Sequence, residues 1–286
     1  MSPDSEVPAY VSPDWLNDLN HQVASAADRW GLRVGDRLGT GNTSRVFACE
    51  DSVHRPVVLK LAPPEMRPDL EAAALDLWRG EGAVRLLDYA PDLRALLLER
   101  LVPGTPPPSG QDEESVAQIA ATLVAVQSAP VPAEHDFPSL DAFLDTWVQW
   151  NRGWIDEGAA GADLLDTACE VGKRLARTAT ASVVLHGDFI DKNLLLSDRG
   201  YVAIDPIPRV GDPCSDVGFY ASYHPPAGRT AARGRGFARA LGLEPECCAR
   251  WAAVWAVGEA CETWRADSDE LQAWINGPEA AELLEL

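Results

Sequence analysis

The chain has 286 residues, 46% of them hydrophobic, which is enough for a core in one large domain or two modest ones. Forty-four acidic residues against 24 basic ones give a net charge of −20, which argues against nucleic acid as a partner and for a cationic partner or substrate. No apolar run approaches the ~20 residues that span a bilayer, MSPDSEVPAY has neither the basic start nor the apolar core of a secretory signal, and six cysteines show no CxxC spacing or paired metal pattern; a cytoplasmic protein with reduced thiols is expected.

Residues 13–30 form the first predicted helix. Ser12 can cap it, Pro13 suits its first position, and Trp15, Leu16, Leu19, Val23 and Ala26 share a face. From Leu32 the period changes: LRVGDRL, SRVFACE and PVVLKLA predict three successive strands. DLEAAALDLWR (69–79) predicts a short helix, and AVRLLDYA and ALLLERL two more strands joined at Pro91-Asp92. VPGTPPPSG (102–110) reads as a linker. Helical spacing then dominates, with faces at Val116, Ile119, Ala120 and Leu123, at Leu140, Phe143, Leu144 and Trp147, and at Leu164, Ala168, Val171 and Leu175. Short strands interrupt at Val183–Leu185, Leu194–Leu196 and Tyr201–Ile204, with a turn over Ser197–Gly200. A C-terminal helix places Trp251, Val254, Trp255 and Gly258 on one face. The expected organisation is α+β and bilobal: an N-terminal helical extension (1–30), a small antiparallel β-rich N-lobe with one helix (31–101), a Pro/Gly-rich linker (102–111) and a larger, mainly helical C-lobe (112–286), with the site between the lobes.

The stretch VVLHGDFIDKNLLLSDRGYVAIDP, Val183 to Pro206, places Asp188, Asn193 and Asp205 at the ends of short apolar runs. Oxygen donors there suit Mg²⁺, which takes one or two carboxylates and substrate phosphates. A carboxylate left off the metal can accept a hydroxyl proton. The interval from Asp188 to Asn193 is that of the kinase loop H-R-D-x-x-x-x-N, and Asp205 follows one hairpin later, where the D-F-G aspartate would stand. The expected roles are catalytic base for Asp188 and Mg²⁺ ligands for Asn193 and Asp205, with a structural hydrogen-bonding role for His186.

A phosphoryl-transfer reading makes further demands. Lys60, one of only three lysines, ends the strand VVLK, and Glu71 on the next helix can hold it. The loop LGTGNTSRVF offers Gly39, Gly41, Thr43 and Ser44 to cradle the phosphates of ATP or GTP. Glu99 and Leu101 fall at the lobe link, where adenine would meet backbone. Singly, each has an ordinary explanation: a strand-end lysine is commonly solvated, and a strand-end Asp or Asn commonly forms a turn. Their joint order carries the reading.

The blocks WRGEGAVRLLDYAPDLRALLLERL (78–101) and LHGDF…NLLL…AIDPIPRVGDPCSD (185–216) resemble the aminoglycoside phosphotransferase family, relatives of the protein kinases, and within it the branch of streptomycin 6-phosphotransferases and hydroxyurea phosphotransferases. The resemblance implies a protein-kinase-like fold, the roles just given, and a structural role for Asp216, bonding the catalytic loop from a following helix. The departures are the degenerate glycine loop and Phe189-Ile190-Asp191, where the family often has Leu-His-Pro-like residues. A protein kinase is disfavoured: Asp205 to Asp216 leaves too little chain for an activation segment, no A-P-E follows, and Gly187 replaces the loop arginine.

A small-molecule acceptor is therefore expected, and the acidity points to a cationic one. Candidate contacts are Asp191, Asp212, Glu259 and Glu262, with Trp251 or Trp255 as an apolar wall; Trp147, Trp150 and Trp154 have core spacing, and Lys192 reads as a solvent-facing loop residue. The expected activity is ATP- and Mg²⁺-dependent O-phosphorylation of a cationic antibiotic, of the streptomycin type or the tuberactinomycin type (viomycin, capreomycin), giving resistance. The alternatives are a kinase of hydroxyurea or another small molecule, or a catalytically silent nucleotide-binding pseudokinase, which the intact Lys60, Asp188, Asn193 and Asp205 disfavour. No obligate protein partner is implied.

Overall fold

A computed structural model describes residues 11–39, 43–108, 113–153, 161–223, 227–261 and 268–285. The chain divides into two units, Met1–Thr105 with Leu196–Val202, and Pro106–Leu195 with Ala203–Leu286.

The first unit begins with α1 (Pro13–Trp30), followed by β1 (Arg33–Arg37), β2 (Arg45–Glu50), β3 (Pro56–Leu61), α2 (Pro68–Trp78), β4 (Leu86–Ala90) and β5 (Ala95–Glu99). The strands form an antiparallel sheet in the order β1-β2-β3-β5-β4. Lys60 pairs with Val46 on one side and Leu96 on the other, so neighbours on both edges fix the β3 register. Proline opens α2, and Asp69 and Glu71 occupy its first turn, where the helix dipole favours carboxylates.

Helix α1 is part of this unit's core rather than a separate extension. Trp15 and Ala26 are buried with Val57, Leu59, Leu61, Ala95 and Leu97, and Leu16, Leu19 and Val23 pack against them. Ser12 does not cap α1 with its side chain; its carbonyl accepts the Leu16 N–H at 3.3 Å.

The second unit contains α3 (Glu113–Gln127), α4 (Leu140–Arg152), α5 (Gly161–Thr178), β6 (Val183–Leu185), β7 (Leu194–Ser197), β8 (Gly200–Ala203), β9 (Arg209–Gly211), α6 (Cys214–Tyr223), α7 (Thr230–Leu241), α8 (Pro245–Cys261), α9 (Ser268–Ile275) and α10 (Pro278–Leu283). The β7–β8 hairpin tip, Leu196–Val202, is grouped with the first unit. Strands β6 and β9 pair antiparallel, matching Val183 with Gly211 and Leu185 with Arg209. Ser139 caps α4, its Oγ accepting the Ala142 N–H at 3.1 Å.

From Cys248 to Gly258 every residue of α8 except Arg250 is buried. A helix buried all round has no amphipathic stripe, so the single face expected for Trp251, Val254, Trp255 and Gly258 is only part of its contact surface. Helices α6 and α8 lie against each other at Gly218, where a Cβ would stand 2.5 Å from that of Trp251. Trp147 is buried as its spacing predicts, but Trp150 is 49% exposed. Trp154 lies outside the described residues. Among the described residues no helix is long and apolar enough to cross a membrane.

Candidate active site

The loop between β6 and β7 starts at His186, which is fully buried. Its Nε2–H donates to the Ile204 carbonyl at 3.1 Å, and its Nδ1 accepts the Asp188 N–H at 3.3 Å, which sets the tautomer. Two further backbone bonds tie the Asp205 segment to this loop: Ile204 N–H to Asn193 O at 2.9 Å and Ile207 N–H to His186 O at 2.8 Å. Asp205 lies between these ties, solvent-exposed and in the left-handed region at φ +57°. The three residues singled out by spacing are thereby drawn into one place.

Asn193 is buried, and its Nδ2 donates to both the Asp188 carbonyl (2.9 Å) and carboxylate (2.7 Å). With that nitrogen committed, Oδ1 is what the side chain offers a cation. Asp188 is half-buried, and its carboxyl is pushed up to about 6. Burial is the main cause; Asp205 adds to it, while Lys192, Asn193 and Arg209 oppose it. Burial pulls the Lys192 ammonium down, but Asp188, Tyr223, Asp205 and Glu259 outweigh it and hold the group above the ordinary lysine range. Lys192 is exposed, as its loop position predicts, yet its charge faces the Asp188 cluster.

The loop is held from beneath. The Asp216 carboxylate, 1% exposed on α6, accepts the N–H of His186 and of Gly187, both at 2.9 Å, and the Gln127 side chain at 3.3 Å. This is the arrangement the resemblance implies for Asp216. Sequence reading missed Arg209. Its guanidinium is buried, donates to the carbonyls of Gly187 (2.9 Å) and Ile207 (3.2 Å), and covers the Phe143 ring at 3.4 Å. Burial brings it down to about 10, against the pull of Asp216 and Asp188. Gly187 sits at φ +78°, and a Cβ there would lie 2.0 Å from the Ile207 carbonyl and 2.8 Å from Arg209. Only glycine fits. The visible signal for Arg209 was a cation inside the apolar run of AIDPIPRVGDP.

In the first unit, Lys60 Nζ donates to both Glu71 carboxylate oxygens at 2.7 Å, with the two side chains 6% and 7% exposed. Such a buried pair contributes little net stability, because desolvation offsets the attraction. Retaining it suits a lysine positioned for a ligand. Gly39 takes φ +64°, and the Arg45 guanidinium donates to the carbonyls of Thr43 and Ser44 at 3.2 and 3.3 Å, bracing the end of that loop; Gly41 lies outside the described residues. The Glu99 carboxylate is bound by the Arg199 guanidinium and the Arg85 N–H. Burial raises its pKa, but these partners bring it below the ordinary range. Its side chain is thus structural, its N–H donates to the Arg85 carbonyl at 3.1 Å, and Leu101 is buried.

Several expected acceptor contacts have other roles. Asp212 is 4% exposed and accepts the Trp251 indole N–H at 2.7 Å and the Cys214 N–H at 2.9 Å. Trp251 is fully buried and stacks on Trp255 at 5.6 Å, and Trp255 donates to Ser215 O at 3.1 Å. None of the three presents a surface to an acceptor, because α6 and α8 close over them. Phe189 and Ile190 are buried too, Phe189 against His186 and Tyr220, so that departure from the family pattern acts inward. Asp191 remains half-buried, accepting from Tyr220 Oη at 3.1 Å, and half-buried Glu259 acts on Lys192. Glu262 lies outside the described residues.

The family profile described as aminoglycoside/hydroxyurea antibiotic resistance kinase matches residues 29–268. Streptomycin 6-kinase of Streptomyces griseus is 31% identical over 219 residues, which cover 71% of this chain and 66% of the relative. Hydroxyurea phosphotransferase of Kitasatospora aureofaciens is 31% identical over 213 residues, covering 70% and 60%. The matched stretch therefore spans just under two thirds of the length of these curated relatives. Among solved structures, a choline/ethanolamine kinase family protein of Mesorhizobium loti superposes with a TM-score of 0.69 at 17% identity, over 94% of this chain and 98% of that one. That likeness shows a shared fold, the α+β fold of the protein-kinase-like enzymes.

Proposed function

The chain belongs to the aminoglycoside/hydroxyurea antibiotic resistance kinase family, and from that premise we propose that it transfers a phosphoryl group from ATP to a hydroxyl of a small cationic antibiotic, an aminoglycoside of the streptomycin type. The observation that carries the reaction class is the 2.7 Å bond from Asn193 to the Asp188 carboxylate, on a loop that buried Asp216 holds by two backbone N–H groups. The acceptor class is supported by the 31% identity to streptomycin 6-kinase and the net charge of −20.

In this reading Asp188 takes the proton of the acceptor hydroxyl. With a pKa raised to about 6 it is ionised at neutral pH and still a better base than an ordinary aspartate. Asn193 fixes the carboxylate's rotation, and Lys192 and Arg209 place positive charge near it. Lys60, held by Glu71, pairs with nucleotide phosphates under the loop of Gly39, Thr43 and Ser44. Asn193 Oδ1 and the Asp205 carboxylate, an oxygen-only donor set, would hold Mg²⁺, which neutralises phosphate charge.

The hydroxyurea phosphotransferase relative supports a second acceptor at the same site. An ATP-consumption screen of the purified protein with Mg²⁺ separates them, using streptomycin, other aminoglycosides, viomycin, capreomycin, hydroxyurea and no acceptor. Streptomycin turnover, with one phosphate added by mass spectrometry and a KM that rises with salt, supports the proposal, since charge steering is screened. Turnover of hydroxyurea alone, with a salt-insensitive KM, replaces it. ATP binding without turnover on any acceptor overturns the catalytic reading.

A further inference from the structure

A second constellation lies at the packed ends of α6 and α8. One ligand atom from each of Asp212, Cys214 and Cys247 falls within 4.8 Å of the others. Asp212 Oδ2 and Cys247 Sγ are 3.3 Å apart, and the Cys247 and Cys248 thiols act on that of Cys214. Asp212 and Cys247 stand 35 positions apart in the chain, so no CxxC-like spacing announces the group.

We propose that Asp212, Cys214 and Cys247 form a binding site for one thiophilic divalent cation of the zinc class, with water as fourth donor. A tetrahedral site with Zn–S of about 2.3 Å and Zn–O of about 2.1 Å has S···O edges of ~3.6 Å and S···S edges of ~3.8 Å. The 3.3 Å between Asp212 Oδ2 and Cys247 Sγ lies near the first of these edges, and every ligand atom lies within 4.8 Å of the others. The donor set is one for zinc rather than magnesium, because two of its atoms are sulfur. Its outer partners are also in place. Cys214 N–H donates to Asp212 Oδ1 at 2.9 Å and Trp251 Nε1–H to Oδ2 at 2.7 Å, which orient the carboxylate as ligating carboxylates are commonly oriented. Asp212 and Cys214 are buried, whereas Cys247 is half-buried and gives the ion a way in. On binding, the two thiols become thiolates and release two protons to solvent.

The position gives the site a consequence for the catalytic loop. Cys214 is the first residue of α6, and Asp216, two residues on, holds the His186 and Gly187 N–H groups. An ion bridging Cys214 to Cys247 ties that end of α6 to α8.

The test uses the full chain, reduced and stripped of metal, with all six thiols counted by a chromogenic reagent after unfolding. Titration with Co²⁺ should bind one equivalent and give a thiolate-to-cobalt charge-transfer band, which one equivalent of Zn²⁺ abolishes. Cys247→Ser and Cys214→Ser should each lose or strongly weaken the band, while Cys169→Ser and Cys261→Ser keep it. In the unaltered protein, Zn²⁺ should slow alkylation of Cys247 by iodoacetamide, read by peptide mass spectrometry, so the answer does not depend on a variant folding. Six free thiols with no cobalt band, a band that survives Cys247→Ser, or unchanged Cys247 alkylation overturns the proposal.

Discussion

Replacing Asp188 with Asn should slow turnover severely and stabilise the protein. The gap between an ordinary aspartate, about 3.9, and the folded value of about 6 corresponds to ~3 kcal/mol of disfavoured ionisation. Asp188 keeps some contact with solvent, which reduces the effect to roughly 1–2 kcal/mol. The sign follows from linkage. Below pH about 4 the carboxyl is protonated in both folded and unfolded chains and the native protein loses nothing. Between about 4 and 6 the unfolded chain ionises first, so stability falls, and above about 6 the loss is complete. The asparagine variant carries no such penalty, and its side-chain carbonyl can still accept from Asn193. Urea unfolding at pH 5 and pH 8, followed by tryptophan fluorescence, should show the variant more stable at pH 8, with the advantage shrunken at pH 5. Its kcat should fall by roughly 10²–10⁴-fold, the usual worth of a positioned base. The unaltered enzyme's kcat/KM should drop as pH falls below about 6. A variant no more stable at pH 8 would refute the burial argument, and near-normal turnover would remove Asp188 from the chemistry.

Lys60→Met should cost ~3–5 kcal/mol by leaving Glu71 charged and alone and should raise the KM for ATP. The double change with Glu71→Leu should recover much of the stability, measured by denaturation, and none of the ATP affinity. Gly187→Ala should cost at least ~1–2 kcal/mol for a left-handed residue with a side chain, with more from the 2.0 Å approach to Ile207, and should lower kcat more than it changes the KM for ATP in steady-state assays. Asp216→Ala leaves the buried His186 N–H, at ~1–3 kcal/mol, and the half-buried Gly187 N–H without their acceptor, so the thermal midpoint and kcat should fall together. Asp205→Asn should shift the Mg²⁺ concentration needed for half-maximal rate upward; an unchanged requirement would remove Asp205 from the metal site.

The pairings of Lys60 with Glu71 and of Asn193 with Asp188 were legible because phosphoryl transfer demands those groups in that chain order, and the fold bonds each pair. The acceptor contacts were not legible. Asp212 and Trp251 look like an acid and an aromatic wall in one dimension, but they bond each other across 39 positions inside the fold. Periodicity says that a helix has a face, not what covers it. Arg209 went unassigned for the same reason: its partners are the carbonyls of Gly187 and Ile207, and no side-chain pattern announces a carbonyl. The small strand β9 was missed because it is too short to show a repeat, and helix α6, buried nearly all round, was placed only by the resemblance that sets Asp216 on a following helix.

The sealed helix α8 bears on where such a fold can vary. Its buried run from Trp251 to Gly258 touches neighbours on every side, so no face is free to vary. A substitution there alters packing before it alters recognition, and a cost of about 2–5 kcal/mol for a truncated core side chain exhausts much of a domain's margin. Variation near the Asp188 cluster falls instead on positions such as Asp191 and Glu259, which are only half-buried. Sequence drift would leave the Trp251–Trp255 pair untouched while such positions change.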